Sequence, residues 1–221
     1  MLILLTVLSM DSDNITNQYR NIINKLEKIK LGKEIYNNGS VVFEVENRND
    51  LLVKIIWFGS NTNILKKFQK EEKLYFEIKD LLKEREEENY FPLIHKFQVY
   101  KDDIHFGYQI MKRYKPILSI YSKYSRNSYQ DYDNDLMNSQ IRDLIKYIHS
   151  KGFYHFDIRA ENIVRDENLN YKLIDWEFAH KASSDKKFEE IEFGTLEQYP
   201  FQILTRNILI DSSELGRFDL F

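Results

Sequence analysis

Ile148–Ala179 reads IHSKGFYHFDIRAENIVRDENLNYKLIDWEFA, and this stretch decides the fold. Just before and into it, Met137, Ile141, Leu144, Ile145 and Ile148 recur at helical spacing between Leu136 and His149, and Gly152 supplies a stop. The next residues, with His155, Asp157, Arg159 and Asn162, have no such period and read as a loop. Two short apolar runs follow, Ile163–Val164 and Tyr171–Ile174, on either side of turn residues 165–170, and the second ends in Asp175. A carboxylate, an amide and a second carboxylate therefore sit on loops at the ends of short strands, where a rigid scaffold usually holds functional groups. Their oxygens form a hard donor set suited to Mg²⁺. Arg159 adds positive charge of the kind that suits a transferring phosphoryl group.

Working outward, Val41–Val45 (VVFEV) and Leu51–Trp57 (LLVKIIW) read as strands joined by turn residues 47–50. From Ile64 to Glu87 the pattern becomes a charged helix with apolar Leu65, Phe68, Tyr75, Ile78 and Leu82. Phe97–Tyr100 and Phe106–Met111 are further strand candidates. After Tyr114 the texture turns helical. Lys54 interrupts an otherwise apolar strand, where an exposed strand lysine and a functional one are both open readings.

Composition excludes several classes. The chain has 221 residues, 30% charged and 43% hydrophobic, with a net charge of −3, so it reads as globular, of one domain or two small lobes. That charge does not suit DNA or an anionic membrane surface, and no nucleic-acid motif is present. With no Cys, disulfides, thiolate zinc and a Cys nucleophile are excluded. Met1–Leu8 (MLILLTVL) is apolar but far short of the roughly 20 residues a membrane helix needs. It resembles the core of a signal peptide but lacks a basic flank and a cleavage site. It is expected to be an appendage, or to lie upstream of a start at Met10.

His155-Phe-Asp157-Ile-Arg159-Ala-Glu-Asn162 resembles the catalytic loop H-R-D-L-K-x-x-N of the protein-kinase-like superfamily. Asp175-Trp176-Glu177 resembles its Asp-Phe-Gly metal motif, at a step of thirteen residues from Asn162 that suits the family. The resemblance implies an α+β, bilobal fold: a small antiparallel-sheet lobe with one long helix, and a shortened, mainly helical large lobe. It implies that residues 1–29 are an N-terminal extension, 30–111 the small lobe and 112–221 a partial large lobe. It implies ATP and Mg²⁺ as cofactors, a protein acceptor and an intracellular, cytoplasmic setting. Asp157 would orient and deprotonate the acceptor hydroxyl, Asn162 and Asp175 would hold Mg²⁺, Arg159 would touch the transferred phosphate, and His155 would brace the loop.

The same resemblance assigns Lys54 to the ATP phosphates. The long helix offers it three partners, Glu71, Glu72 and Glu77. Glu71-Glu-Lys-Leu-Tyr75 is similar to the E-x-x-x-Y helix of casein-kinase-1-like enzymes, which selects Glu71. The phosphate-covering glycine loop corresponds to Gly32 through Gly39 to Val41, stretched and with two glycines only; an ordinary hairpin turn is the other reading. Leu52 stands where the family has a small residue over the adenine, and Met111 would be the gatekeeper. Phe156 replaces the loop Arg that reads a phosphorylated activation loop. Glu177 replaces the motif's Gly, which removes a flexible backbone position. Asp-Trp-Glu also looks like the choline-kinase and aminoglycoside-phosphotransferase branch. Gly194-Thr195-Leu-Glu-Gln-Tyr199-Pro200 resembles the protein-kinase segment G-T-x-x-Y-x-x-P-E, and Gly216–Phe221 the start of the next family helix. The sequence ends there, so either it is a fragment or truncated reading frame, or a partner or an oligomer is expected to cover the shortened lobe. A non-catalytic scaffold with this fold and a small-molecule kinase are the alternative functions.

Overall fold

The computed structural model describes residues 12–85, 88–102, 104–117, 134–183, 188–192 and 207–211. Helix α1 (Ser12–Glu27) leads into strands β1 (Leu31–Asn38), β2 (Ser40–Val45) and β3 (Arg48–Trp57). Helix α2 (Thr62–Lys83) is followed by β4 (Ile94–Tyr100), β5 (Phe106–Lys112) and β6 (Lys115–Pro116). Helix α3 (Asn134–Ser150) precedes β7 (Phe153–Tyr154), β8 (Ile163–Arg165), β9 (Tyr171–Leu173) and β10 (His180–Lys181), and β11 (Phe188–Glu192) pairs with β12 (Asn207–Asp211). The small lobe is one antiparallel sheet in the order β1-β2-β3-β5-β4. β6, β8 and β9 form a second small sheet, and β7 pairs with β10.

Alternation along the strands gives the five-stranded sheet two apolar faces. Phe43 and Val45 of β2, Val53 and Ile55 of β3, and Phe106, Tyr108 and Ile110 of β5 share one core with Tyr19 and Ile23 of α1. Helix α1 is therefore docked on the sheet. The Tyr19 and Phe106 rings lie 4.9 Å apart, and Glu27 pairs with Lys96 at 2.6 Å and accepts from the Tyr108 hydroxyl. The opposite face packs on α2, whose Phe68, Leu74, Tyr75, Ile78 and Leu82 join a core that continues through α3 to Ile163, Tyr171, Leu173 and Trp176. That second core ties the lobes together.

Helix α2 starts two residues before the expected Ile64, because Asn61 caps it, its side-chain oxygen accepting from the Asn63 and Ile64 amides. The α2 face meets the sheet at Gly107, where an added Cβ would lie 2.9 Å from the buried Phe68 ring. Gly107→Ala is therefore expected to lower stability by about 1–3 kcal/mol through overpacking. Denaturant unfolding checks it, and an unchanged midpoint would show that α2 yields freely. Residues 194–200 and 216–221, which carry two of the expected motifs, lie outside the described residues.

Candidate active site

The loop from β7 to β8 is built from within. His155 is fully buried, its ring edge-on to Trp176 with centroids 4.6 Å apart. Its Nδ1 accepts the Asp157 backbone N–H at 3.2 Å, which leaves the proton on Nε2 to donate to the Ile174 carbonyl at 3.1 Å. One imidazole thus ties the loop to the residue that links β9 to Asp175. Phe156 is also fully buried, at a left-handed φ of 58°, an uncommon conformation for a bulky residue. Asp175 is left-handed as well, at φ 66°, which turns the chain sharply after β9.

Asn162 ends a 3₁₀ turn, Ala160–Asn162. Its Nδ2 donates to the Asp157 backbone carbonyl at 2.9 Å and to Asp157 Oδ2 at 2.7 Å. Both amide hydrogens are used, so the amide oxygen is what remains for a cation. The Asn162 carbonyl accepts the Ile174 N–H at 2.8 Å, which holds the two loops together. Arg159 Nε lies 3.5 Å from Asp157 Oδ2.

Across the cleft, Lys54 sits in mid-β3, 9% exposed, and its Nζ donates to Asp175 Oδ1 at 2.5 Å, bridging 121 positions of sequence. Burial alone would lower the Lys54 ammonium; the carboxylates of Asp175, Glu71 and Glu177 outweigh it and hold it above the ordinary lysine range. Burial would likewise raise Asp175, but the Lys54 charge holds it below the usual carboxylate range. Burial and the Asp175 charge push Glu177 upward. Of the three candidate helix carboxylates, Glu71 alone is buried, at 3% exposure; Glu77 pairs instead with Lys181 at 2.6 Å. Burial pushes the Glu71 carboxyl up to about 7, against the pull of the Lys54 charge.

The structure brings Lys54, Glu71, Asp157, Arg159, Asn162 and Asp175 into one region. Met111 lies there too, half-buried and paired with Leu52 across β3 and β5. Val41 does not join them. It packs with Phe43 and Val45 against the α1 side of the sheet, and Val42, directly across from Lys54, is the residue on the cleft side. The period-2 alternation of VVFEV carries that signal. Gly32 lies at the start of β1 and Gly39, at φ 74°, forms the tip of the tight β1–β2 hairpin, with Asn38 paired to Ser40. The stretched loop is a hairpin turn with its one left-handed residue at Gly39.

Among the described residues no three His, Cys, Asp or Glu side chains converge on a metal position. Asp175 and Asn162 offer one carboxylate and one amide oxygen, a set that fits Mg²⁺, which keeps waters and takes phosphate oxygens. No helix among the described residues is long and apolar enough to cross a membrane.

An antiparallel lobe with one long helix, set over a loop of this composition, defines the α+β bilobal kinase architecture. The chain belongs to the protein kinase domain family, whose family model matches residues 38–208. Short stretches are similar to serine/threonine kinases. These include the serine/threonine-protein kinase ppk8 of Schizosaccharomyces pombe (strain 972 / ATCC 24843), 50% identical over 42 residues, 19% of this chain and 8% of that protein. Mitogen-activated protein kinase kinase kinase 1 of Arabidopsis thaliana is 40% identical over 74 residues, 34% of this chain and 12% of that protein. Death-associated protein kinase 2 of Homo sapiens is 42% identical over 62 residues, 26% of this chain and 16% of that protein. The chain thus matches less than a fifth of the length of each of these relatives.

Proposed function

We infer that this chain transfers the γ-phosphoryl group of Mg·ATP to a Ser or Thr hydroxyl of a protein. The observation that carries the reading is the Lys54–Asp175 contact at 2.5 Å, which sets the small lobe's cation beside the loop that holds Asp157 and Asn162. Lys54, kept cationic by its carboxylate neighbours, holds the α- and β-phosphates, and Glu71 orients it. Gly39 and Val42 lie over the nucleotide, and Met111 and Leu52 border the base. Asp175 and the Asn162 amide oxygen would hold Mg²⁺, which when bound would neutralise charge on the phosphates. Asp157 accepts the proton of the acceptor hydroxyl as that hydroxyl's oxygen bonds to the γ-phosphorus and the bond from that phosphorus to the bridging oxygen breaks, releasing ADP. Arg159 faces the transferred group. Rate comes from positioning and charge neutralisation. Residues 30–111 act as the nucleotide-gripping lobe and 112–221 as the acceptor-binding part, with residues 1–29 as an extension docked through α1. The ATP requirement, with the absence of Cys from the sequence, supports an intracellular, cytoplasmic setting.

A second reading, a non-catalytic scaffold, draws on Leu52, which faces Met111 where the adenine would lie and narrows the pocket. Incubating the full chain with Mg²⁺ and γ-labelled ATP, and with protein, choline and aminoglycoside acceptors, separates these. Label on protein Ser or Thr supports the proposal. Label on choline or an aminoglycoside moves the assignment to a small-molecule kinase. No transfer to any acceptor, with no nucleotide bound, leaves the scaffold.

A further inference from the structure

Two buried side-chain atoms of opposite hydrogen-bonding character have no partner among the described residues: Glu71 Oε2, an acceptor, and Gln109 Nε2, a donor. Gln109 is 1% exposed in the middle of β5, with Lys54 across from it on β3 and Phe97 on β4. It shares the sheet face of Gly107, which meets α2 through Phe68. A primary amide among such neighbours costs stability unless it is bonded. Its dipole already acts on Glu71, holding that carboxyl lower than burial alone would.

We propose that Gln109 is a positioning residue: its side-chain N–H donates to the Glu71 carboxylate and aims it at Lys54. The proposal rests on the reading of Lys54 and Glu71 given above. Lys54 gives its close contact to Asp175 at 2.5 Å, and the buried Glu71 Oε2 is left as an acceptor for a neutral donor. Gln109 is that donor, reached from the strand rather than from the helix. Whenever the Asp175 carboxylate is drawn to another partner, Glu71 is then in position to balance Lys54. The groups that face Glu71 besides Gln109 are Lys54 of β3 and, beyond β9, Asp175 and Glu177.

The test is a double-mutant cycle on the full chain with two readouts. The first is the Gln109 side-chain amide signal in ¹H–¹⁵N spectra of ligand-free protein, assigned by its loss in Gln109→Met. It is expected to move in Glu71→Ala; an unmoved signal overturns the pairing whether or not nucleotide binds. The second is Mg·ATP affinity. Gln109→Met, close in volume, is expected to weaken it roughly tenfold, the scale of one hydrogen bond to a charged group, and to have no further effect in Glu71→Ala. Equal weakening in both backgrounds means a merely structural role and sinks the proposal, as does unchanged affinity in Gln109→Met. A wild-type chain that binds no Mg·ATP but whose Gln109 signal responds to Glu71→Ala refutes the phosphotransferase reading and keeps the pair. If Gln109→Met does not melt cooperatively, Gln109→Asn, which withdraws the amide by one methylene, carries the affinity readout with the same expected loss.

Discussion

Asp157→Asn is expected to cut phosphoryl transfer by roughly 10²–10⁴-fold, the usual contribution of a positioned general base, while Mg·ATP affinity stays within a few-fold of wild type. The substitution keeps the shape of a side chain that is 3% exposed. Its amide oxygen can still accept from Asn162 Nδ2, which now bonds Asp157 Oδ2 at 2.7 Å, so the loop should stand. What is lost is the carboxylate's capacity to take the acceptor's proton and the negative charge beside Arg159, 3.5 Å away. In the proposed reading the nucleotide is gripped elsewhere, by Lys54 and Asp175. Steady-state transfer and equilibrium nucleotide binding, measured on the same preparation, separate the two effects. Undiminished transfer in Asp157→Asn would falsify the assignment of this residue. Loss of both transfer and binding would mean that Asp157 holds up the site rather than acting in it.

The catalytic loop was legible because its chemistry lies in side chains at fixed local spacing. His155, Asp157, Arg159 and Asn162 fall within eight positions, and the loop's bonds run among them and to Ile174. Lys54 was legible as a charge inside an apolar strand. Glu71 could have been picked from periodicity alone, since Phe68, Glu71, Tyr75, Ile78 and Leu82 form one buried stripe that excludes Glu72 and Glu77. Val41 was misplaced by following a motif offset where strand alternation names Val42. The docked helix α1 was also within reach, since Tyr19, Ile22 and Ile23 are at helical spacing. Gln109 had no signal. In FGYQIMK it is a polar residue between apolar neighbours, and only the approach of α2, 38 positions away in sequence, sets it near Glu71. Long-range pairing of this kind is what local pattern does not carry.

Asp175→Ala in the ligand-free chain is expected to lower stability by about 2–3 kcal/mol, below the roughly 3–5 kcal/mol of a fully buried pair. The reduction has two causes. The Asp175 side chain is 29% exposed to the cleft, and the Lys54 ammonium, 11% exposed, keeps the Glu71 charge nearby. At about 2–4 °C per kcal/mol for a chain of this size, the midpoint should fall by roughly 4–12 °C. Lys54→Met should cost less, because the Asp175 left behind can reach water while the Lys54 left by Asp175→Ala cannot. Adding Lys54→Met to Asp175→Ala should therefore recover part of the loss, the signature of an uncompensated buried charge. The same variant tests the nucleotide site. Mg·ATP at about 100 times its dissociation constant should stabilise the wild-type chain by roughly 2.7 kcal/mol, and Asp175→Ala should show no Mg²⁺-dependent shift. A variant that melts like wild type and still responds to Mg²⁺ would take both the buried pair and the metal role away from Asp175. A wild-type chain that melts cooperatively without any response to Mg·ATP would leave the pair intact. It would put the fault at Leu52 and the short Gly39 hairpin, where the pocket for the base and the cover for the phosphates are formed.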